Sequence, residues 1–185
     1  SMYNVMEVPG LPNGQASLVE DLRAIDAGGA TVALKDLGAG DYGIAGGRRI
    51  RLSYAVRLEH DQYPWPAGME EVSYHTDEGV MATGAALFCA DGDAPVQAPI
   101  EGDFDLPQGW QARTPWTRMG GGDRFRVDSR RELVSNALFL ATAHAETFDA
   151  GGVDLTLVLG MRHRKSAPLF LVLLPTPLAT YAELF

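Results

Sequence analysis

The sequence predicts a mainly β protein, an antiparallel sandwich of two sheets with one or two short helices. Apolar and polar residues alternate along many segments, which is the period of a strand with one buried and one solvated face. Turn signals rich in glycine and aspartate separate these segments, and the 185 residues include 21 glycines and 11 prolines. Many short strands joined by turns are typical of such a sandwich.

Strands are predicted wherever the alternation is regular. The clearest is residues 50–58, in which Ile50, Leu52 and Tyr54 alternate with polar residues such as Arg51. This pattern predicts a half-buried strand with a basic, solvated face. The same period predicts further strands at Leu18/Glu20/Leu22, Val32/Leu34, Phe104/Leu106, Phe125/Val127 and Val153/Leu155/Leu157/Leu159.

Three segments do not follow this period. Residues 128–140 are typical of a helical turn or of a passage from helix to strand. Near the end, Thr176 suits a helix N-cap and Pro177 the first helical position, which predicts a helix over residues 178–185. The apolar run 169–174 and this final helix are candidates for a patch that faces a partner. The alternative, a buried central strand, fits the apolar run better than it fits the helix.

Charge and cysteine content limit the partners, disulfides and metal sites that this chain can have. Lys and Arg number 15 against 24 Asp and Glu, a formal net charge of −9, which argues against nucleic acid or an anionic membrane as the main partner. The single cysteine, Cys89, leaves no internal disulfide and no cysteine-based zinc site. No apolar run approaches the roughly 20 residues that a spanning helix needs, and no signal peptide is visible. The sequence leaves cytoplasm and periplasm both open.

The motifs of catalysis are missing or incomplete. No H-E-x-x-H string is present, and His144-Ala145-Glu146 lacks the downstream Pro-Cys-x-x-Cys that a nucleobase deaminase needs. Cys89 follows apolar residues, so a buried structural thiol is expected. His60 and His75 lie among carboxylates that a mixed metal site would use, but the exposed edge of a hairpin explains them better. We therefore predict no catalytic residue, no metal ligand and no cofactor in this chain.

Two of the three tryptophans and one tyrosine are the best candidates for binding. Prolines hold Tyr63 and Trp65 in a stiff, extended loop, and together with Trp116 they would offer flat faces to a sugar or a peptide. The alternative is a loop that folds back over one end of the sandwich. Trp110 is expected in the core.

Five segments carry a resemblance to a known family. The stretch 17–26 before Gly28-Gly29 looks like its early strand with a D-x-x-G turn, and residues 50–56 look like its strand ending in Y-x-V. Residues 104–114 match its pattern lP-x-gW…aT, residues 126–134 are similar to its deLvDsP segment, and residues 153–160 look like its closing strand. Over residues 17–160, the chain resembles the N-terminal β-domain of the glycyl aminopeptidase family of zinc metallopeptidases.

This resemblance implies a non-catalytic role. Proteins of that family are larger, with a gluzincin catalytic domain and often a PDZ domain. It implies a sandwich domain over residues 1–175 and, over residues 176–185, the start of a helix that leads into a catalytic domain absent from this chain. Zinc is expected only in that absent domain, which would be the partner that this domain packs against and whose cleft it shapes. Ser135-Asn136-Ala137 stand where the family has Asp-Ser-Pro. The alternative is a stand-alone module that binds peptide or carbohydrate through the aromatic loop.

Overall fold

The computed structural model describes residues 8–45, 49–59, 62–63 and 73–184. Most of the regular structure is short strands, with four α-helices and two 3₁₀ segments among these residues. The 3₁₀ segments are Gly14–Leu18 and Met161–Ser166. The helices are α1 (Gly84–Leu87), α2 (Arg130–Ser135), α3 (Ala167–Leu173) and α4 (Pro175–Leu184). The strands are β1 (Val19–Asp26), β2 (Thr31–Val32), β3 (Leu34–Gly38), β4 (Asp41–Ile44), β5 (Ile50–Val56), β6 (Tyr74–His75), β7 (Gly79–Thr83), β8 (Ile100–Asp103), β9 (Gln111–Arg113), β10 (Thr117–Arg118), β11 (Arg124–Val127), β12 (Ala137–Ala141), β13 (Ala143–Ala150) and β14 (Val153–Gly160).

The strands pair into several antiparallel sheets. One sheet has four strands in the order β6-β7-β12-β9, and two have three strands, in the orders β2-β1-β5 and β10-β11-β8. Two hairpins, β3–β4 and β13–β14, form two-stranded sheets. The prediction of a mainly β, sandwich-like fold with few short helices is therefore confirmed.

The main core is aromatic and lies between the four-stranded sheet and the sheet of β8, β10 and β11. Trp116 packs against Phe104 with ring centroids 6.3 Å apart and against Phe125 at 6.4 Å. Leu138 of β12 and Val127 of β11 are fully buried in the same cluster. Burial of such large side chains supplies most of the favourable free energy of folding.

The outer edge of β9 is closed by side chains. The backbone N–H of Ala112 donates to Oδ1 of Asp123 at 3.1 Å, and Nη2 of Arg118 donates to the carbonyl of Ala112 at 3.0 Å. Arg118 also donates to Asp123 at 3.2 Å, and its guanidinium lies 4.8 Å from the centre of the Phe125 ring. We call Arg118 and Asp123 the edge clamp, because they occupy the donor and the acceptor that another strand would use.

The passage around residues 128–140 is a helix followed by a strand, as predicted. Ser129 caps α2, since its Oγ accepts from the N–H of Glu132 at 3.1 Å. The cap satisfies a donor that the first turn of a helix leaves free. After Asn136 the chain enters β12, whose residue Leu138 is fully buried.

Four predictions about elements and core need correction. Phe104 and Leu106 follow β8 as irregular chain rather than forming a strand. The run 169–174 lies in and just after helix α3, not in a buried strand, and the last helix begins at Pro175, before the predicted cap. Trp110 is only half-buried, and Trp116 is the buried tryptophan of the main core.

Candidate functional site

The aromatic residues proposed for binding lie in different parts of the fold. Tyr63 is half-buried against a small cluster formed by Val8, Leu11 and Leu18. Trp116 is 6% exposed and belongs to the main core. Trp65 lies outside the described residues. Tyr63 and Trp116 thus belong to separate clusters of side chains.

A groove lies along one face of the four-stranded sheet. Residues that are directly paired in antiparallel strands project from the same face. Tyr74 pairs with Met81, Met81 with Phe139, and Phe139 with Arg113, so one residue from each of the four strands stands in a single row. All four line the groove, and all four are half-buried. We call this set the floor row.

The opposite wall of the groove comes from the hairpin β13–β14. Leu155, Val158 and Leu159 of β14 line it, and the volume of this open groove is about 1020 Å³. This volume is slightly above the usual range for small-molecule sites, about 300–1,000 Å³. The groove is therefore large enough for an elongated organic molecule with an apolar body.

Three arginines line the groove, and they differ in whether a carboxylate pairs with the guanidinium. Arg118 is held by Asp123 in the edge clamp. Arg162 is paired with Asp77, and its backbone N–H donates to Oε1 of Glu78 at 2.8 Å. Arg113 instead donates from Nη2 to the neutral amide oxygen of Gln111 at 2.6 Å. Among the described residues, no carboxylate lies within ion-pairing distance of Arg113.

Two buried donors in the groove lining have no acceptor within the described part of the chain. They are Nε of Arg113 and Nε1 of the Trp116 indole. Oγ1 of Thr114 accepts the backbone N–H of Trp116 at 2.9 Å, which fixes the turn that follows Arg113 and carries Trp116. Buried donors without an acceptor are uncommon in proteins, so each of them calls for a physical explanation.

Sequence reasoning named Trp116 but missed Arg113 and the rest of the floor row. These four residues come from segments between positions 74 and 139 that no local motif connects. The only local signal was the pattern around β9, where Arg113 stands between the buried Ala112 and the turn residue Thr114. Pairing between strands that are distant in sequence brings these residues together. The spacing of residues in a single sequence does not reveal such pairing.

Cys89 and Tyr54 form a structural pair. The hydroxyl of Tyr54 donates to the carbonyl of Leu87 at 3.0 Å and accepts the backbone N–H of Cys89 at 3.0 Å. Burial raises the pKa of Tyr54 to about 12 and also raises the pKa of the Cys89 thiol. A thiol with a raised pKa is a poor nucleophile, and Cys89 is half-buried rather than fully buried.

The histidines do not gather into a metal centre in the described residues. His144 and Glu146 are adjacent on one face of β13, with Nε2 of His144 2.5 Å from Oε1 of Glu146. His75 is exposed on β6, and His60 lies outside the described residues. No group of three or more potential ligands occurs where the chain is described. Within the same residues, no helix is long and apolar enough to cross a bilayer.

The C-terminal helices expose an apolar face. Leu169, Val172 and Leu173 of α3 are 59%, 76% and 57% exposed, and Tyr181 of α4 is 63% exposed. Leu169, Val172 and Leu173 are spaced i, i+3 and i+4, so they share one face of α3, and exposed apolar groups of this kind are typical of an interface. We call these four residues the docking face.

Comparison with known proteins yields a structural match only. No protein-family model and no curated protein matches this sequence. Among solved structures, the chain is similar to an aminopeptidase N family protein from Idiomarina loihiensis, with a TM-score of 0.65 and 20% sequence identity over 84% of this chain. The chain spans 27% of the length of that protein. It therefore shares its fold with part of an aminopeptidase N family protein.

Proposed function

We propose that this chain is a non-catalytic domain, N-terminal in a larger aminopeptidase-like protein, that packs against a catalytic domain of the same polypeptide and shapes access to its cleft. The docking face is the observation that carries the proposal. Val172, Leu169 and Leu173 each expose more than half of an apolar side chain, and covering such a surface releases ordered water and is favourable.

The comparison with solved structures supports a partner within the same polypeptide. The similar aminopeptidase N family protein is longer than the matched segment, which makes up 27% of it. Helices α3 and α4 are the last elements of the described chain, so a following domain, if there is one, would begin beside the docking face.

Cysteine labelling tests whether a following domain covers the docking face. In a Cys89→Ser background, Val172→Cys should react rapidly with a maleimide in the 185-residue chain and slowly in the protein expressed from the whole coding sequence. Leu37→Cys is the matched control, because Leu37 is 59% exposed on the separate hairpin β3–β4 and should react equally in both. Equal reactivity of Val172→Cys in both proteins, or a coding sequence that contains no further domain, would refute the proposal.

Activity provides a second test. The 185-residue chain should show no turnover of glycyl or alanyl substrates, with or without added zinc, whereas the protein from the whole coding sequence should show zinc-dependent turnover. Zinc-dependent turnover by the 185-residue chain that survives repurification would overturn the non-catalytic role.

A further inference from the structure

We propose that the groove is a binding site for a carboxylate that carries an extended apolar group. This site is separate from the docking face, and the inference does not depend on the proposed scaffolding role. Three features of the groove support it: the order of side chains in the floor row, the two buried donors, and the uncompensated charge of Arg113.

The floor row gives the site its shape and polarity. Neighbouring strands lie about 4.8 Å apart, so the row from Tyr74 to Arg113 extends over roughly 14 Å. Met81 and Phe139 form its apolar middle, and Arg113 stands at one end. An elongated molecule lying across the strands would meet apolar surface along its body and a guanidinium at its end.

The two buried donors in the groove lining specify the chemistry of the polar group that would bind there. Trp116 is 6% exposed and lines the groove, and its indole N–H has no acceptor among the described residues. The same holds for Nε–H of Arg113. Both groups can only donate hydrogen bonds, so the missing partner must be an acceptor. A carboxylate can accept several hydrogen bonds at once and matches the guanidinium in both charge and planar geometry.

The charges around the groove favour an anion at Arg113. Arg118 and Arg162 already have carboxylate partners, and Glu78 accepts from the backbone N–H of Arg162. Asp154 also lines the groove, from an exposed position on β14. Since the whole chain carries a net charge of −9, long-range attraction will not bring an anion to this surface. Binding therefore depends on the short-range contacts of Arg113 and Trp116.

Nuclear magnetic resonance of the indole N–H groups can detect occupancy directly. The sequence has three tryptophans, and the spectrum of Trp116→Phe identifies the Trp116 resonance as the one that disappears. Millimolar octanoate should shift this resonance in the wild-type chain. Octanol, which has the same apolar chain and no charge, should leave the resonance in place.

Substitution of Arg113 tests the charge-assisted contact. Arg113→Gln should weaken octanoate binding about tenfold or more, the usual effect of losing one charged hydrogen-bond donor, and Arg113→Lys should weaken it less. Arg126→Gln is the matched control, because Arg126 is exposed on β11 and pairs with Asp128. It should bind octanoate as the wild type does.

Three results would overturn the proposal. These are an unmoved Trp116 resonance with octanoate, an equal shift with octanol, and unchanged octanoate binding in Arg113→Gln. A second probe distinguishes two sources of the same chemistry, a fatty acid and the carboxyl end of a peptide. If acetyl-leucyl-leucine binds more tightly than octanoate, the site is supported and its ligand is the carboxyl end of a peptide. If octanoate binds more tightly, the site is supported and its ligand is a fatty acid.

Discussion

The hydroxyl of Tyr54 joins two parts of the fold through one oxygen atom. It donates to Leu87 and accepts from Cys89, so it ties the segment after α1 to strand β5. Burial raises its pKa to about 12. The phenol therefore stays protonated, and keeps its donor, over the whole range of pH in which proteins usually work.

Removing this hydroxyl should destabilise the protein. Tyr54→Phe leaves a carbonyl and an N–H without their partner, at a cost of about 1–3 kcal/mol in the free energy of unfolding. Tyr42→Phe, on the hairpin β3–β4, is the matched control and should lie within about 0.5 kcal/mol of the wild type. Urea titrations of the three proteins measure the difference, and equal midpoints would contradict the assigned role.

The stabilities of the wild type and of Tyr54→Phe should depend differently on alkaline pH. The pKa of Tyr54 is raised from the model-compound value of 10.0 in the folded state, so between pH 10 and 12 the unfolded chain releases this proton while the folded chain keeps it. Stability contributed by Tyr54 is thus fully present below pH 10 and falls as pH rises through 12. The stability advantage of the wild type over Tyr54→Phe should shrink across that window. An advantage that stays constant there would show that the phenol is not buried.

Single residues were the hardest features to predict from sequence. Trp110 and Trp116 both stand among polar and turn-forming residues of the chain, and Trp110 is the one expected in the core. The turn at Thr114 directs Trp116 inward instead, where it stacks on Phe104. Nothing local in the sequence states which of two nearby tryptophans meets the main core.

The contact between α1 and α2 requires a residue without a side chain. A Cβ added at Gly84 would overlap the carbonyl oxygen of Leu133, and backbone cannot move aside as a flexible side chain can. Gly84→Ala should therefore cost about 3 kcal/mol, the upper part of the range for overpacking. Gly102→Ala is the control, since nothing lies within 4 Å of an added Cβ there. Thermal unfolding distinguishes them, and equal melting temperatures would contradict the close approach.

The edge clamp should contribute measurably to the strand it closes. Asp123→Ala leaves the N–H of the fully buried Ala112 without its acceptor, which should cost about 1–3 kcal/mol. Asp123→Asn keeps an acceptor oxygen and should cost less. Asp128→Ala, which removes an exposed ion pair with Arg126, should change stability by about 0–1 kcal/mol. Equal effects of Asp123→Ala and Asp128→Ala in urea titrations would show that the clamp is only a surface ion pair.

Strands with a long, regular alternation could be predicted from sequence, whereas the short pair Phe104/Leu106 and the continuous apolar run could not. Strands β5 and β14 lie where the period of two placed them. The run 169–174 contains six consecutive apolar residues, and such a run is compatible with a buried strand or with a helix. Pro168 lies in the first turn of the helix, a position that suits proline. Val172 is exposed, so the segment is not covered on both faces as a central strand would be.

Stability should be distributed unevenly over the molecule. Strands β11 and β12 carry fully buried residues such as Val127 and Leu138, whereas β3 and β4 pair only with each other and expose Leu37. An unsupported two-stranded hairpin is marginally stable. Amide hydrogens of β12 should exchange only on global unfolding, and those of β3 and β4 should open at a cost several kcal/mol lower. Uniform protection across these strands in native-state exchange would contradict this ranking.

At the scale of the whole molecule, sequence alone predicted the class of fold but not the groove. Composition and turn frequency determine that many short strands must pack into sheets. The groove requires Tyr74, Phe139 and Arg113 to share one face, and this depends on the register of three strand pairings. A shift of one residue in any of them would turn part of the floor row to the other face.

The edge clamp also has a consequence for the behaviour of many copies together. A free strand edge is a template on which another chain can add a strand and begin a fibril. Arg118 and Asp123 occupy the outward carbonyl and N–H of Ala112, so at this residue a second molecule would first have to displace two charged side chains. The four-stranded sheet is thereby ended at β9 by ionic side chains, and this protects a crowded solution of the protein from polymerising through that edge.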